Sequence, residues 1–132
     1  MYSWGRSSDG QLGLNDVAVR SSPVQIGTSS WSLVDAGTNH TTGLLSDKIS
    51  LFTWGQNTAN SGQLGINIGT LTYRSSPTQV GTGANWSTAY PSATATMTKT
   101  DGTLWACGYN ANGGLGQNDR VYRSSPVQIG AS

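Results

Sequence analysis

One eight-residue phrase occurs three times and limits what this chain can fold into. Residues 20–27 read Arg-Ser-Ser-Pro-Val-Gln-Ile-Gly, residues 74–81 read Arg-Ser-Ser-Pro-Thr-Gln-Val-Gly, and residues 123–130 return to the first wording. The three prolines are separated by 54 and 49 residues. Self-similarity with a period of about 50 residues is typical of a repeat protein, in which each unit covers the apolar face of its neighbour.

Strand and turn signals recur with the same period. A short apolar stretch ends in glycine at residues 5, 55 and 108, which predicts a half-buried strand. A glycine-rich turn follows each stretch, and we expect its glycines to adopt positive φ and its leucine to be buried beneath it. The proline of the repeated phrase cannot donate to a sheet, so it belongs at the first residue of a strand or on an edge strand.

The other half of the unit begins with tryptophan and ends at aspartate, at residues 31–47 and 86–101. Its second copy alternates small or apolar residues with threonine over residues 93–98, which predicts a strand, and Asp101-Gly102 predicts a hairpin turn. We therefore predict a single repeat domain over residues 1–132. Its units lie at about 1–30 (partial), 31–85 and 86–132, the last unit being incomplete.

Composition supports an all-β protein and excludes several functions. The chain has 18 Gly, only 10% charged residues and no Glu, a profile that disfavours helices. Five Trp and five Tyr argue against disorder. The net charge is +1 with no basic run, which predicts no nucleic-acid partner. No apolar stretch approaches the ~18 residues of a membrane span, and a single Cys excludes an internal disulfide.

Together, four motifs identify a family resemblance. Val-Asp-Ala-Gly-x-x-His-Thr at residues 34–41, Leu-Phe-Thr-Trp-Gly-Gln-Asn at 51–57, Gly-Gln-Leu-Gly at 62–65 and Pro-x-x-Val at 77–80 strongly resemble the repeat of the regulator of chromosome condensation family. The resemblance covers the whole chain and implies a β-propeller, usually of about seven four-stranded antiparallel blades. Periodicity alone leaves another propeller class or a β-solenoid open.

The same resemblance makes the chain look like part of a larger protein. Seven blades of about 50 residues need about 350 residues, so we expect a partial, open arc that is a fragment of a longer chain. Two copies depart from the family pattern. Residues 90–96 replace the Ala-Gly-x-x-His-Thr stretch, and Cys107 stands where the other copies have the Trp of Trp-Gly.

Candidate chemical groups are few. His40 is the single histidine, without a second His or a Cys to share a metal or proton with, and the resemblance gives it a structural role. Cys107 is expected to be a buried, inert thiol. Asp9, Asp16 and Asp119 lie in glycine-containing loops where calcium is conceivable, but turn formation explains them more simply. We predict no catalytic, cofactor-binding or metal-binding residue.

Three arginines recur at one position of the unit: Arg20, Arg74 and Arg123. A ring of arginines on one propeller face could bind anions or a partner. Alternatively, each arginine could hold the loop of its own blade, and its repetition favours this structural role.

These observations predict a non-catalytic binding or scaffold module. Its partners would be other propeller blades of the parent chain, or a partner chain that completes the ring, with a protein or glycan as surface ligand. The alternative is a structural component of a bacteriophage virion or bacterial surface, such as a fibre, spike or decoration protein. The amino-acid sequence of the repeated phrase resembles repeats in proteins of that kind, which favours a virion or extracellular location over the cytoplasm.

An enzyme is the third possibility, and we predict that the chain is not one. A glycan hydrolase or lyase would need paired carboxylates, and Asp35 with Asp47 or Asp101 gives no convincing pair. The best-known family member exchanges nucleotide on a small GTPase through an inserted wedge, which cannot be placed on residues of this chain. That activity is therefore not carried over.

Overall fold

The computed structural model describes residues 1–47, 50–57, 61–68, 73–82 and 85–130, whose regular structure is entirely β. The ten strands are β1 (Tyr2–Gly5), β2 (Arg20–Gln25), β3 (Trp31–Ala36), β4 (His40–Leu45), β5 (Leu51–Gln56), β6 (Tyr73–Gln79), β7 (Trp86–Tyr90), β8 (Thr94–Lys99), β9 (Leu104–Gly108) and β10 (Arg123–Gln128). None of the described residues belongs to a helix that could cross a membrane.

The strands form three open antiparallel sheets. The first contains β1 and β2, the second has the order β3-β4-β5-β6, and the third has the order β7-β8-β9-β10. Neighbours in each sheet are also consecutive in the chain, as in propeller blades. The prediction of an all-β fold with four-stranded antiparallel blades in a partial, open arc is confirmed.

The last unit has more structure than the sequence led us to expect. We predicted that residues 86–132 would form an incomplete unit, but β7 to β10 supply all four strands of a sheet by Gln128. The first two come from the half that begins with tryptophan, and the last two from the half that contains the repeated phrase. The half-unit is therefore the first sheet, whose β1 and β2 match β5 and β6 of the second in register.

The repeated proline lies inside an edge strand. Strands β2, β6 and β10 each begin at or before the arginine of the phrase and continue past the proline. The register of each shifts at this point, for example between Arg123 and Val127 where β10 meets β9. A proline cannot donate to the ladder, so the interruption falls on the outermost strand of the sheet. Of the two predicted places for the proline, the edge strand is right.

The second and third sheets pack face to face. β3 and β4 of the second sheet contact β7 of the third, and the main apolar core lies between these sheets. Its buried members are Leu44, Leu51, Val80, Trp86, Ala89, Ala95, Met97 and Cys107. The second sheet thus buries apolar side chains against the third, as the repeat pattern predicts.

Antiparallel strands alternate in direction, so the turns fall at two ends of each sheet. The turns after β1, β3, β5, β7 and β9 lie at one end, which we call the upper end, and the remaining turns lie at the lower end. The upper end carries the long glycine-rich turns, and these turns position the features described next.

Candidate functional site

The glycine-rich turn of the first unit docks onto the second sheet through main-chain contacts. We call residues 10–15 the first docking turn. Asn15 N–H donates to the Ser75 carbonyl oxygen on β6 at 2.7 Å. A Cβ atom on Gly10 would lie 2.5 Å from Ser75 Cα, so a glycine is required for the two main chains to approach this closely.

The same turn also covers a tryptophan. The carbonyl oxygen of Gln11 accepts hydrogen bonds from Trp54 Nε1 at 2.9 Å and from Thr41 Oγ1 at 3.0 Å. A Cβ atom on Gly13 would lie 2.8 Å from Trp54 Nε1, so the indole is held tightly beneath the turn. The turn therefore closes the top of the second sheet and satisfies its buried donors.

The second docking turn, residues 62–67, repeats this arrangement on the third sheet. Asn67 N–H donates to the Ser124 carbonyl oxygen at 2.7 Å, and a Cβ atom on Gly62 would lie 2.5 Å from Ser124 Cα. The Sγ atom of Cys107 occupies the place of the tryptophan indole. Two junctions thus share one main-chain geometry although the covered side chain differs.

The third docking turn, residues 113–118, has the same backbone but no sheet against it among the described residues. Gly113 has a φ of +76°, and Asn118 has a φ of +56°. A Cβ atom on Gly113 would meet only the Asp119 carbonyl oxygen, at 3.9 Å. Leu115 is fully buried beneath the turn, like its counterparts Leu12 and Leu64, so the predicted burial of the leucines is confirmed. The predicted positive φ is confirmed for the glycines of the three turns except Gly114.

The first sheet presents the complementary surface uncovered. Trp4 matches Trp54 and Cys107 in register, yet it is 60% exposed, whereas Trp54 is 1% and Cys107 is 0% exposed. Ser21 matches Ser75 and Ser124 and is exposed as well. We call Trp4 and Ser21 the free acceptor surface.

A cleft of about 350 Å³ separates the first sheet from the second. Met1 and Trp4 line one side, and Val34 and Trp54 line the other. Val34 is 44% exposed, whereas its counterpart Ala89 in the third sheet is 2% exposed, because β3 and β4 cover that sheet. At the junction of the second and third sheets, β3 and β4 fill the space that corresponds to this cleft.

His40 lies at the start of β4, where it supports a close approach of main chains. A Cβ atom on Gly55 would lie 2.6 Å from His40 Cα. The imidazole is buried, its Nε2 has no hydrogen-bond partner among the described residues, and burial lowers its pKa. It borders a polar cleft of about 500 Å³ with Gln56 and Pro91. No group of three or more His, Cys or Asp side chains within the described ranges could hold a metal.

The lowered pKa of His40 predicts a pH-dependent stability. The unfolded chain takes up a proton near pH 6.5 and the folded chain only at lower pH, so the free energy of unfolding is highest above pH 6.5 and falls as pH drops below it. Urea unfolding between about pH 5 and pH 7.5 should show this slope. His40→Gln should flatten it, and an unchanged slope in that variant would contradict the assignment.

Cys107 is a buried thiol, as predicted. Burial raises its pKa to about 12, and its Sγ–H donates weakly to the Gln63 carbonyl oxygen at 3.9 Å. The thiolate fraction at pH 8 is then on the order of 10⁻⁴. We expect a thiol reagent to label Cys107 at the rate of unfolding in buffer and at once in denaturant. Rapid labelling of the native chain would show that the thiol is accessible.

The recurring arginines hold turns of their own units in two of the three copies. Arg20 pairs with Asp16 at 2.5 Å, and Arg123 pairs with Asp119 at 2.6 Å. Each aspartate also caps its turn by accepting a main-chain N–H two residues later. Four residues before Arg74 the sequence has a threonine, outside the described residues. The geometry favours the structural role over an anion-binding ring, and it assigns these aspartates to turns.

The turns held by these ion pairs expose apolar side chains at the upper end. Val19 is exposed in the first unit, and Val121 is exposed in the third. The rings of Tyr109 and Tyr122 pack at an angle of 37° with centroids 5.0 Å apart, and both remain partly exposed. We call Val121, Tyr109 and Tyr122 the upper apolar patch. The Asp-x-x-x-Arg spacing that fixes this turn is visible in the sequence, but no sequence signal marks the patch itself.

Comparison with known proteins agrees with this geometry. The profile of the regulator of chromosome condensation (RCC1) repeat matches residues 1–44 and 101–132, more than half of the chain. The chain belongs to this repeat family. None of the curated proteins matches its sequence significantly.

Solved structures share the fold. Prp20p from Saccharomyces cerevisiae, whose structure was described with its binding to Gsp1p and histones, matches with a TM-score of 0.84 at 19% identity over 97% of this chain. Yeast RCC1 (Prp20) bound to Kap60 matches with a TM-score of 0.82 at 18% identity over 97% of this chain. Human WBSCR16 matches with a TM-score of 0.81 at 22% identity over 98% of this chain. The chain spans about one third of each: 33%, 32% and 33%.

Proposed function

We propose that this chain is a module of a non-catalytic β-propeller and acts as a binding or scaffold surface. The observation that carries the proposal is the pair of junctions in which main-chain contacts fix each unit against the next. Such junctions fix one unit against the next, while the parts of the upper turns that do not dock present exposed side chains such as Val19 and Tyr122. The similar yeast proteins were described with protein partners, which supports binding rather than chemistry.

The ligand of this surface would be a protein or a glycan. The upper apolar patch supplies two tyrosines with aromatic faces and hydroxyl groups, a combination enriched at protein interfaces. Arg123 and Asp119 hold the turn beneath it through a 2.6 Å ion pair, so little conformational freedom of this turn remains to be lost on binding.

A binding screen with matched variants tests this proposal. Labelled chain would be applied to a glycan array and to a panel of purified surface and particle proteins. Tyr122→Ala should weaken any specific binding at least about tenfold, or 1.4 kcal/mol. Leu104→Ala, which removes an exposed apolar side chain at the lower end, should leave it unchanged. Absence of any binder, or equal losses in both variants, would contradict the proposal.

Completion of the ring belongs to the same proposal. Other blades of a longer parent chain, or a partner chain, would continue the arc to about seven blades. The free acceptor surface and the third docking turn support this, because each matches a surface that is occupied elsewhere in the chain. Intact mass of the parent protein from its source would test it, since a native product of only 132 residues that forms no complex would contradict it.

A structural role in a bacteriophage virion or on a bacterial surface is the second candidate. It rests on the wording of the repeated phrase and on the surfaces left open for assembly. It would place the protein on the virion or outside the cell. Mass spectrometry of purified particles and surface fractions tests it, and recovery only from the cytoplasm would contradict it.

The proposed module binds and does not catalyse a reaction. Incubation with bacterial polysaccharides should release no reducing or unsaturated sugar above the rate of a heat-unfolded control. Turnover that persists through purification would refute this part of the proposal and leave the assignment of the fold untouched.

A further inference from the structure

The polar cleft of about 500 Å³ beside His40 lies at the internal junction of the second and third sheets, and we call it the junction cleft. One wall is the upper end of the second sheet, with Asn39 and Gln56. The other wall is the turn between β7 and β8, with Pro91 and Ser92. Both walls belong to sheets that pack against each other within the chain. The volume falls in the range of about 300–1,000 Å³ that is usual for small-ligand sites.

Main-chain hydrogen bonds fix both walls of the junction cleft. On the second sheet, the Gln56 N–H donates to the Asn39 carbonyl oxygen at 2.8 Å. On the third sheet, the Tyr109 N–H donates to the Ala93 carbonyl oxygen, also at 2.8 Å. A ligand therefore meets a cleft that is already formed, and little conformational freedom of the protein is lost on binding.

The side chains of the junction cleft offer both donors and acceptors without a charge. The Asn39 Nδ2 donates to the Gln56 Oε1 at 3.3 Å, and this bond leaves the Asn39 oxygen and the Gln56 NH₂ group outside it. Thr38 and Ser92 add hydroxyl groups at exposed positions. None of the described residues that line the cleft is an acid, a lysine or an arginine. Burial lowers the pKa of His40, so its imidazole is neutral near pH 7.

A buried nitrogen atom of a residue that lines the cleft lacks a partner. The His40 Nε2 makes no hydrogen bond within the part of the chain that the structure describes, and the residue is 6% exposed. An unsatisfied buried polar atom costs free energy, and such atoms in folded proteins usually find a partner. A hydroxyl group suits either tautomer of the imidazole, because it can both donate and accept. The junction cleft is an opening beside His40 through which such a group can enter.

We propose that the junction cleft binds a neutral, hydroxyl-rich ligand, namely a sugar unit of a glycan. The inference rests on the proposed function and chooses, of its two ligand classes, the one that fits this cleft. An anion would meet no cation among the described lining residues, and its carboxylate would lose water without compensation. A peptide ligand requires a strand edge or an apolar groove. Here the strands end at the cleft, and the apolar residues that line it are only alanine, glycine and proline.

Two pairs of matched variants test the site, each made in the protein at the length that its source produces. Ser92→Trp fills the cleft from an exposed position, and Ser46→Trp adds the same side chain at an exposed turn of the lower end. Gln56→Ala removes an amide group from one wall. Gln25→Ala removes an exposed one at the lower end of β2. Circular dichroism would first establish that each variant is folded.

Ligand-observed NMR titration with methyl glycosides of neutral hexoses and N-acetylhexosamines gives the readout. At least one glycoside should bind with a Kd of about 0.1–10 mM. Gln56→Ala and Ser92→Trp should each weaken this binding at least about tenfold, and the two control variants should leave it unchanged. The uronic acid of the same ring configuration should bind at least about tenfold more weakly, because its carboxylate finds no cation in the cleft.

The outcomes separate this inference from the proposed function. No glycoside binding up to about 50 mM, or equal binding by all four variants, would overturn the inference. Tighter binding of an uncharged acetylated tetrapeptide that Gln56→Ala abolishes would also overturn it, in favour of a peptide. A protein ligand lost in Tyr122→Ala, without any glycoside binding, would overturn the inference and retain the proposed function. Glycoside binding that depends on Gln56 but not on Tyr122 would support the inference and overturn the binding role of Tyr122.

Discussion

Replacing Trp54 by alanine is expected to lower the free energy of unfolding by about 3–5 kcal/mol. The indole is 1% exposed, stacks edge to face with Trp31 at 5.6 Å, and donates to the Gln11 carbonyl oxygen. Its loss removes a large apolar side chain and leaves the docking turn above a cavity. Since domains of this size are stable by about 5–15 kcal/mol, the variant should unfold at much lower urea.

The chain provides its own control for this experiment. Trp4→Ala removes the same side chain at the matching position of the first sheet, where it is 60% exposed, and should cost less than about 1 kcal/mol. Both variants would be measured by urea unfolding at dilute protein, followed by circular dichroism. Equal losses at Trp4 and Trp54 would show that the docking turn contributes nothing to the burial of the tryptophan.

Replacing Gly62 by alanine should be nearly as damaging, although it adds only one methyl group. The new Cβ atom would lie 2.5 Å from Ser124 Cα and 2.9 Å from the Arg123 carbonyl oxygen, and both are main-chain atoms that cannot rotate away. The positive φ adds about 1–2 kcal/mol of strain, and the clash adds about 1–3 kcal/mol. We expect a total loss of about 2–5 kcal/mol.

Gly113→Ala separates the cost of the positive φ from the cost of the steric clash. Gly113 has a φ of +76° against +69° for Gly62, but no sheet faces it among the described residues. At dilute protein it should therefore show only the strain of about 1–2 kcal/mol. Thermal and urea unfolding of the two variants would be compared under the same conditions. A loss at Gly113 as large as that at Gly62 would show that the cost is purely conformational.

Much of the fold could be predicted because local sequence patterns determine its strands and turns. The alternation over residues 93–98 predicted β8, and Asp101-Gly102 predicted the hairpin in which the Gly102 N–H donates to the Lys99 carbonyl oxygen at 3.0 Å. Leu115 was predicted as a buried residue beneath a turn because its neighbours are glycines. Local patterns of this kind depend on residues a few positions apart, so the sequence displays them directly.

The junctions could not be predicted, because their contacts connect residues far apart in the chain. The Gln11 carbonyl oxygen meets Trp54 across 43 residues, and the Gln63 carbonyl oxygen meets Cys107 across 44. The acceptors are main-chain oxygen atoms, which every residue carries, so no pattern of side chains marks them. The glycines were visible, but positive φ alone explained them. Glycine is also required at Gly10 and Gly62 because a neighbouring sheet approaches them closely. That approach is known only once the packing of two units is known.

Recognition through main-chain atoms has a consequence for how such proteins change over time. Cys107 stands in the place of Trp54, yet the hydrogen bond from an asparagine N–H to a serine carbonyl oxygen that joins one unit to the next is 2.7 Å long at both junctions. A duplicated or deleted copy would therefore meet compatible neighbours at once, with no compensating substitution. The number of units could drift freely in a lineage, while the side chains on the upper turns diverge toward different ligands.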